Sequence, residues 1–281
     1  MVMVRDRRKF KITKISLYFS LTLITAIFLL PIIMTMLLAF RPTDTNFILP
    51  PHLFFKPTLD AARNTILNWG QNGHQILSSL IISTMASFLN LPISFLAAYG
   101  LSRYKFKAKN QIMMWYLSLL MAPSVVFVIP YFVLFSKLHI RGSFISLIIV
   151  LQTITVPFSI WLMKSFLDEI PVELEEAAKI DGANLFQLIY KITLPLCAPG
   201  VIVTSMFSFV FAWNNVTFPL TLSNSGTSTI PIGTLGYFTT SGANWNNIGM
   251  TAASAIIPPM FIFLILDRFV VRGLTFGAIK G

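Results

Sequence analysis

A short acidic stretch holds the side chains best suited to chemistry in this chain of 281 residues. Glu173, Glu175 and Glu176 lie close together, and Asp181 follows one helical turn and a half later. Paired carboxylates can act as general acid and base when they share a pocket. The surrounding sequence carries no signal of such a pocket, so we interpret Glu173, Glu175 and Glu176 as part of a solvated helix face.

The other reactive residue types form no recognisable catalytic or metal site. His52, His74 and His139 are scattered, without the spacing of metal ligands. Cys197 is the only cysteine, so no internal disulfide can form. The dipeptide Gly-Lys does not occur, which excludes the phosphate-binding loop G-x-x-x-x-G-K-[ST]. We therefore expect a chain that is not an enzyme, with no cofactor and no metal.

The composition indicates that most of the chain lies in a lipid bilayer. Hydrophobic residues make up 55% and charged residues 11%, with a mean hydropathy of +0.75. A soluble domain carries about 25% charged residues. The net charge of +11 could suggest nucleic acid, but the charges stand in short clusters between long uncharged runs. That pattern is typical of loops between membrane spans, so we expect no nucleic-acid partner.

Uncharged runs predict an all-α integral membrane protein with six transmembrane helices, because a span needs about 20 apolar residues. The predicted spans are 15–40, 75–102, 111–136, 142–163, about 197–221 and about 248–268. One transmembrane domain would cover 15–268, between tails at 1–14 and 269–281. The first run ends without a small-residue cleavage site, so we interpret it as an anchor rather than a signal peptide.

The distribution of Lys and Arg predicts the orientation. Sixteen of the 21 lie in the two tails and in the 103–109 and 164–191 loops, when Arg268 at the end of the last span is counted with the C-terminal tail. By the positive-inside rule these segments, including both termini, face the cytoplasm. The 164–191 loop is unusual because its six acidic residues outnumber its three lysines. An acidic surface suits a protein partner better than anionic lipid headgroups.

This acidic loop carries the local signals of two short helices joined by a tight bend, over 171–195. Pro171 suits the first turn of a helix, and Gly182 can take the left-handed conformation that ends one. Asn184 and Gln187 have the spacing of a capping box at the start of a second helix. The alternative is an ordinary amphipathic loop, which many membrane proteins have.

The hairpin resembles the EAA loop in the membrane subunits of bacterial ATP-binding-cassette importers. The matching residues are Glu176-Ala177-Ala178, Asp181-Gly182-Ala183 and Ile192-Thr193-Leu194-Pro195. The stretches NLPISFLAAYGLSRYKFKAKN, FAWNNVTFPL and RFVVRGLTFGAIKG resemble the carbohydrate-uptake permeases, in particular the family of the smaller maltose permease subunit. The resemblance covers most of the chain. It departs from the larger partner subunit, which often has extra spans or a larger external domain.

The resemblance implies a type I importer permease fold and a heterodimer with a second, homologous permease subunit. It also implies two cytoplasmic ATP-binding subunits, which hydrolyse ATP, and an extracytoplasmic solute-binding protein. In that family the hairpin is a coupling helix that docks in a cleft of the ATPase. Glu176 would contact the ATPase, Ala177 and Ala178 would face its cleft, and Gly182 would form the bend.

The resemblance also assigns residues outside the central part of the hairpin. The remaining coupling residues would be Asp181 and Ala183. A C-terminal contact with the ATPase pair would use Gly273, Gly277 and Lys280. The 222–247 loop would touch the solute-binding protein through Asn224, Thr229, Tyr237 and Trp245.

Polar and aromatic residues inside spans are candidates for the solute path, since polar groups there are costly unless they face the bundle interior or a cavity. They are Asn90, Gln152, Trp213, Asn214 and Asn215. Amides and aromatic faces suit a neutral, hydroxylated solute such as a sugar. The alternative is that these side chains simply pack helices together.

The sequence therefore predicts the permease subunit of a binding-protein-dependent, ATP-driven importer of a sugar or oligosaccharide in the bacterial cytoplasmic membrane. One alternative is the same machine for another solute, such as a glycerol phosphate, a polyamine or an amino acid. Another is an autonomous secondary transporter or channel, which would leave the acidic hairpin unexplained.

Overall fold

The computed structural model describes residues 7–42, 55–67, 71–239 and 242–276, and they are mostly helical. The long helices are α1 (Arg7–Ala39), α3 (Gln71–Arg103), α4 (Lys109–Met121), α5 (Val125–Lys137), α6 (Phe144–Glu169), α10 (Ala198–Trp213) and α13 (Trp245–Phe276). The short helices are α2 (Asp60–Ala62), α7 (Val172–Ile180), α8 (Leu185–Gln187), α9 (Leu194–Leu196), α11 (Thr217–Leu222) and α12 (Ile230–Leu235). π-Helical turns cover Arg63–Leu67 and Leu188–Thr193. Two short antiparallel strands, β1 (Phe238–Thr239) and β2 (Gly242–Ala243), pair Phe238 with Ala243.

Among the described residues, four helices are long and apolar enough to cross a membrane alone. They contain the candidate spans Ser16–Ala39, Asn72–Arg103, Phe144–Glu169 and Trp245–Leu266. These correspond to the first, second, fourth and sixth predicted spans. Two bent helix pairs raise the number to six if each pair counts as one span: Lys109–Met121 with Val125–Lys137, and Leu185–Leu196 with Ala198–Trp213, which are bent by 77°. The prediction of an all-α membrane fold is confirmed.

The third predicted span, 111–136, is interrupted. α4 ends at Met121 and α5 begins at Val125, and the two helices are bent by 93°. Ala122 has an extended ψ of 127°, which is the conformation favoured before a proline, here Pro123. The expectation of one continuous helix is therefore corrected by this break.

The fifth predicted span, about 197–221, is also divided. Its main helix, α10, has only 16 residues, a length of about 24 Å. Two asparagines follow it. The Asn214 Nδ2 donates to the Val210 carbonyl at 3.0 Å, and the Asn215 Oδ1 accepts from the Phe218 amide at 3.1 Å. Such side-chain bonds compete with the helical ladder, so the chain leaves α10 here and starts α11.

Three helices form the centre of the molecule, since α3 packs against both α6 and α10, which also contact each other. One apolar cluster includes Phe95 and Tyr99 of α3, Met163 of α6 and Leu188 of the hairpin. A second cluster lies nearer the other end of α3 and joins Ile82 to α6 and α11. We call the end of α3 at Arg103 the hairpin end and its opposite end, at residues 71–79, the loop end.

The helix α1 stands apart from this centre and packs along α13. The two helices approach closely at Gly249, where an added Cβ would lie 2.9 Å from the Ala39 nitrogen. None of the most apolar window of α1 is buried by the rest of the chain. Most of its surface therefore faces the surroundings, as expected for a helix in lipid.

Candidate functional site

The hairpin folds as its local sequence predicts. α7 ends at Ile180, and Gly182 takes a left-handed φ of +84°, which glycine adopts without steric cost. The second helix starts with a capping box. The Asn184 Oδ1 accepts from the Gln187 amide at 2.9 Å, and the Gln187 Oε1 accepts from the Asn184 amide at 3.0 Å. The predicted bend and capping box are confirmed.

The bend carries an exposed apolar surface, which we call the hairpin tip. It consists of Ile180, Leu185, Phe186 and Tyr190. Ile180 is 87% exposed and Phe186 is 67% exposed, and the rings of Phe186 and Tyr190 lie 4.3 Å apart. A Cβ added at Gly182 would meet no atom within 4 Å. An exposed apolar surface of this kind indicates a contact with another molecule.

The predicted coupling residues lie next to this tip and differ in their exposure. Glu176, Ala177 and Asp181 are exposed, and Ala183 is half-buried. Ala178 instead packs inward, in the same apolar cluster as Tyr99 and Leu188. The geometry therefore leaves Ala177, and not Ala178, free to contact another protein.

Glu175 lies inside the protein, so the interpretation of Glu175 as part of a solvated face is wrong. Its side chain is 1% exposed and forms an ion pair with Arg103, whose side chain is 7% exposed. The Arg103 Nε donates to the Glu175 Oε1 at 2.8 Å. The Tyr99 hydroxyl donates to Oε2 at 3.0 Å, and the Thr193 hydroxyl donates to Oε1 at 3.0 Å. We call Tyr99, Arg103, Glu175 and Thr193 the Glu175 clamp.

The clamp also holds the connection between α6 and α7. The Arg103 Nη2 donates to the Ile170 carbonyl at 3.1 Å. One guanidinium thus contacts the chain before α7 and a carboxylate within α7. A helical wheel could have given a hint, because Glu175 lies three residues before the inward-facing Ala178. A carboxylate on that buried face requires a cation, which Arg103 provides.

Three of the predicted path residues lie inside this chain's own helix bundle. Asn90 is fully buried in α3, and neither of its amide atoms has a hydrogen-bond partner among the described residues. The Gln152 Nε2 donates to the carbonyls of Ile148 and Ala86, at 2.9 and 3.2 Å. The Trp213 indole donates to the Ala255 carbonyl at 3.1 Å. Asn214 is exposed and Asn215 is half-buried.

The sequence patterns did not predict an exposed aromatic surface on α6 and α10. We call it the aromatic face, and it consists of Phe158, Trp161, Phe207 and Phe211. The Phe158 ring lies 5.3 to 5.8 Å from each of the other three rings. Asn214 lies on the same side of α10, since positions 207, 211 and 214 have helical spacing. The spacing of these aromatic residues was visible in the sequence, but only the packing of α6 against α10 joins them.

At the loop end, the four residues predicted to touch a binding protein differ in exposure. Asn224 is exposed and its Oδ1 accepts from the amides of Gly226 and Thr227, at 2.9 and 3.1 Å. Trp245 is exposed and packs edge-on to Phe238. Thr229 is buried. Tyr237 is half-buried, and this burial raises its pKa above the ordinary value.

The same loop is fixed to α3 by neutral hydrogen bonds. The Ser79 hydroxyl accepts from the Ile230 amide at 2.9 Å. The Ser78 hydroxyl donates to the Gly226 carbonyl, and the Gln75 Nε2 donates to the Ser228 hydroxyl, both at 3.3 Å. The hairpin and the 222–247 loop therefore lie at opposite ends of one helix.

The predicted C-terminal contacts are only partly covered by the structure. Gly273 lies within α13, which continues to Phe276. Gly277 and Lys280 lie outside the described residues.

Comparisons with known proteins agree with this architecture. The profile of the family described as "Binding-protein-dependent transport system inner membrane component" matches residues 90–276. The trehalose transport system permease protein SugB of Mycobacterium tuberculosis is 30% identical over 267 residues, which are 92% of this chain and 95% of the relative. The diacetylchitobiose uptake system permease protein DasC of Streptomyces coelicolor is 32% identical over 207 residues, which are 73% of this chain and 75% of the relative.

A solved structure has the same fold. It is a chain of a bacterial ABC transporter involved in the import of the acidic polysaccharide alginate. The TM-score is 0.73 at 17% identity, and the match covers 95% of this chain and 99% of that chain. The predicted importer-permease fold is therefore confirmed.

Proposed function

Because this chain belongs to the family of binding-protein-dependent transport system inner membrane components, and is thus a membrane permease, we propose that its importer carries a sugar or oligosaccharide. ATP hydrolysis takes place on separate partner subunits in this proposal. The relatives named for trehalose and diacetylchitobiose support the substrate class. The hairpin with its exposed apolar tip is the single observation that carries the coupling to an ATPase.

In this proposal the hairpin end of α3 faces the bacterial cytoplasm and the loop end faces outward. The excess of Lys and Arg on the hairpin side supports this orientation, and it places both termini in the cytoplasm. The hairpin then lies where a soluble ATPase can reach it.

Docking on the ATPase uses the hairpin tip together with Glu176, Ala177 and Asp181. Phe186 and Ile180 supply apolar area, whose burial drives association. Gly182 leaves open space at the bend, so a second surface can approach the backbone closely. Ala178 and Ala183 support the tip from within. The C-terminal residues Gly273, Gly277 and Lys280 remain predicted contacts of the ATPase pair.

The aromatic face, with Asn214, is the surface that we assign to the solute path, facing the second permease subunit. Aromatic rings can stack on the C–H faces of a sugar, and an exposed amide can bond its hydroxyl groups. Asn90, Gln152, Trp213 and Asn215 then belong to the wall behind this face. There Gln152 bonds α6 to α3, and Trp213 bonds α10 to α13. Asn224 and Trp245 are the exposed contacts for the solute-binding protein, with Tyr237 and Thr229 packed behind them.

The coupling proposal is tested by closing the space at the bend. The chain is expressed with its partner subunits, purified in mild detergent and assayed for a co-purifying ATPase and for uptake in vesicles. Gly182→Trp should abolish both, because its side chain fills the approach to the tip. Lys105→Trp is the control, since Lys105 is exposed in the short loop after α3, outside the hairpin. Normal uptake by a well-expressed Gly182→Trp variant would overturn the assignment.

The substrate class is tested with the reconstituted complex and its binding protein. Labelled disaccharides should be taken up, and an amino acid or a polyamine should not. Trp161→Ala should raise the KM for sugar uptake by about tenfold, the effect of losing about 1.4 kcal/mol of binding. Phe88→Ala removes another exposed ring, on α3, and should leave KM unchanged. Uptake of amino acids but not of sugars would refute the substrate class and leave the importer intact.

A further inference from the structure

We propose that Arg103 and Glu175 are positioning residues that make α3 the rigid link between the two docking surfaces of the permease. The inference rests on the proposed function, because it needs an ATPase at the hairpin and a binding protein at the loop. In this inference α3 transmits a displacement between the two surfaces, and the Arg103–Glu175 pair connects the hairpin to α3.

The hairpin is joined to the bundle by its own chain ends and by the apolar cluster that Ala178 and Leu188 share with Tyr99 of α3. It follows α6 directly and leads into α9 and α10. Arg103, 72 residues before Glu175 in sequence, adds a directional polar bond between α3 and the hairpin. Since the same guanidinium holds the Ile170 carbonyl at 3.1 Å, the start of α7 is fixed on both sides.

A buried ion pair is poorly suited to stability alone. Well-packed apolar side chains of similar size stabilise a protein as well or better, because two charges must lose their water. The pair instead fixes the orientation of α7 relative to α3. The planar guanidinium meets the carboxylate and the carbonyl with fixed geometry, and the Tyr99 hydroxyl holds the second carboxylate oxygen at 3.0 Å. α7 therefore cannot rotate against α3 without breaking buried, charge-assisted hydrogen bonds.

α3 can carry this constraint across the whole bundle. It is a single helix of 33 residues, about 50 Å long. Pro92 lies in its interior without ending it. At the loop end, Ser79 and Ser78 bond the backbone of the segment that leads into α12. A displacement of the hairpin is thus passed to the outer loop by one element.

The experiment uses the complete importer in vesicles, with its ATPase subunits and binding protein. Glu175→Gln leaves Arg103 buried without its counter-charge and can impair folding. The decisive variant therefore combines Arg103→Met with Glu175→Met, which removes both charges. Glu173→Gln is the matched control, because Glu173 is exposed in the first turn of the same helix. Three quantities are measured: subunit assembly, basal ATPase activity, and its stimulation by the loaded binding protein.

The double variant should assemble and keep its basal ATPase activity within about twofold, while stimulation by the binding protein falls at least about fivefold, the lower range of coupling between sites. Ser79→Ala, at the other end of α3, should lower stimulation in the same direction. Wild-type stimulation in the double variant would overturn the inference. Loss of assembly would overturn it as well, because the pair would then be needed to build the complex. A wild-type complex without an ATPase would instead refute the proposed function.

Discussion

The two ends of α3 hold their neighbours by different chemistry. At the hairpin end, a buried carboxylate and guanidinium fix α7, with a tyrosine and a threonine as further donors. At the loop end, serine hydroxyls bond backbone groups, and no charge takes part in the bonds of Ser78 and Ser79. Each end holds a neighbouring segment, the hairpin or the 222–247 loop, so the contrast concerns how firmly each segment is oriented.

The difference shows what each end can tolerate. A neutral hydrogen bond contributes about 0.5–1.5 kcal/mol net, so single bonds at the loop end can be exchanged at low cost. A buried ion pair that loses one partner leaves a desolvated charge, which costs several times more. We therefore expect the hairpin end to be fixed in orientation and the loop end to be easier to rearrange.

The largest effect is expected when the clamp loses one charge. Glu175→Gln should lower the free energy of unfolding by about 3–5 kcal/mol, because Arg103 then remains buried and unpaired. The double Arg103→Met, Glu175→Met variant should lie near the wild type. Thermal unfolding of the purified chain in detergent measures both. If the single and double variants were equally unstable, the charge pair would not be the reason for the stability of this end.

Removing one donor from the clamp should have an intermediate effect. Thr193→Val keeps the shape of the side chain and loses the bond to the Glu175 Oε1, at an expected cost of about 1.5–3 kcal/mol for a bond to a charged group. Thr25→Val is the control, since the Thr25 hydroxyl bonds only the Leu21 carbonyl of its own helix. The same thermal assay applies. Equal shifts for the two variants would mean that Thr193 contributes nothing specific to the clamp.

The loop end should respond more weakly. Ser79→Ala leaves the Ile230 amide without its acceptor, and we expect a loss of about 1–2 kcal/mol. Combined with Glu175→Gln, the losses should add, because the two sites lie on the order of 35 Å apart along α3. Exposed Ser118→Ala serves as the control. A strong departure from additivity in stability would mean that the two ends are not separate structural units.

The smallest effect is expected from an exposed ion pair close to the clamp. Lys164 pairs with Asp168 one helical turn later, with side chains 20% and 43% exposed. Lys164→Met should change the free energy of unfolding by no more than about 0.5 kcal/mol, as is usual for such pairs. High salt should erase even that difference. A loss of stability as large as that of Glu175→Gln would mean that burial does not explain why the Arg103–Glu175 pair matters more than the Lys164–Asp168 pair.

The sequence predicted the hairpin well because its signals are local. Gly182, Asn184 and Gln187 determine their own conformation through neighbours within three residues. The fate of Glu175 could not be predicted in this way, since its partners Arg103 and Thr193 are 72 and 18 residues away. The packing of α3 against the hairpin brings Arg103 to Glu175, and the fold of the hairpin itself brings Thr193 there.

The positions of the spans were also predicted from local sequence, but the breaks within them were not. Hydropathy locates apolar runs but carries no direction, so it gave no sign that α4 and α5 meet at 93°. Pro123 and the pair Asn214 and Asn215 were visible as interruptions. Hydropathy alone could not predict a helix end within a continuous run of uncharged residues. The bonds from the asparagine side chains to the backbone explain why α10 ends here.

The pairing of α1 with α13 means that α1 is synthesised well before the helix against which it packs. These are the first and last helices that the structure describes, and each is the main neighbour of the other at Gly249. At about 5–20 residues per second, roughly ten to forty seconds pass between their synthesis on the ribosome. α1 must therefore persist in the bilayer without its partner. Its apolar surface on every side allows this, because lipid can occupy each face until α13 arrives.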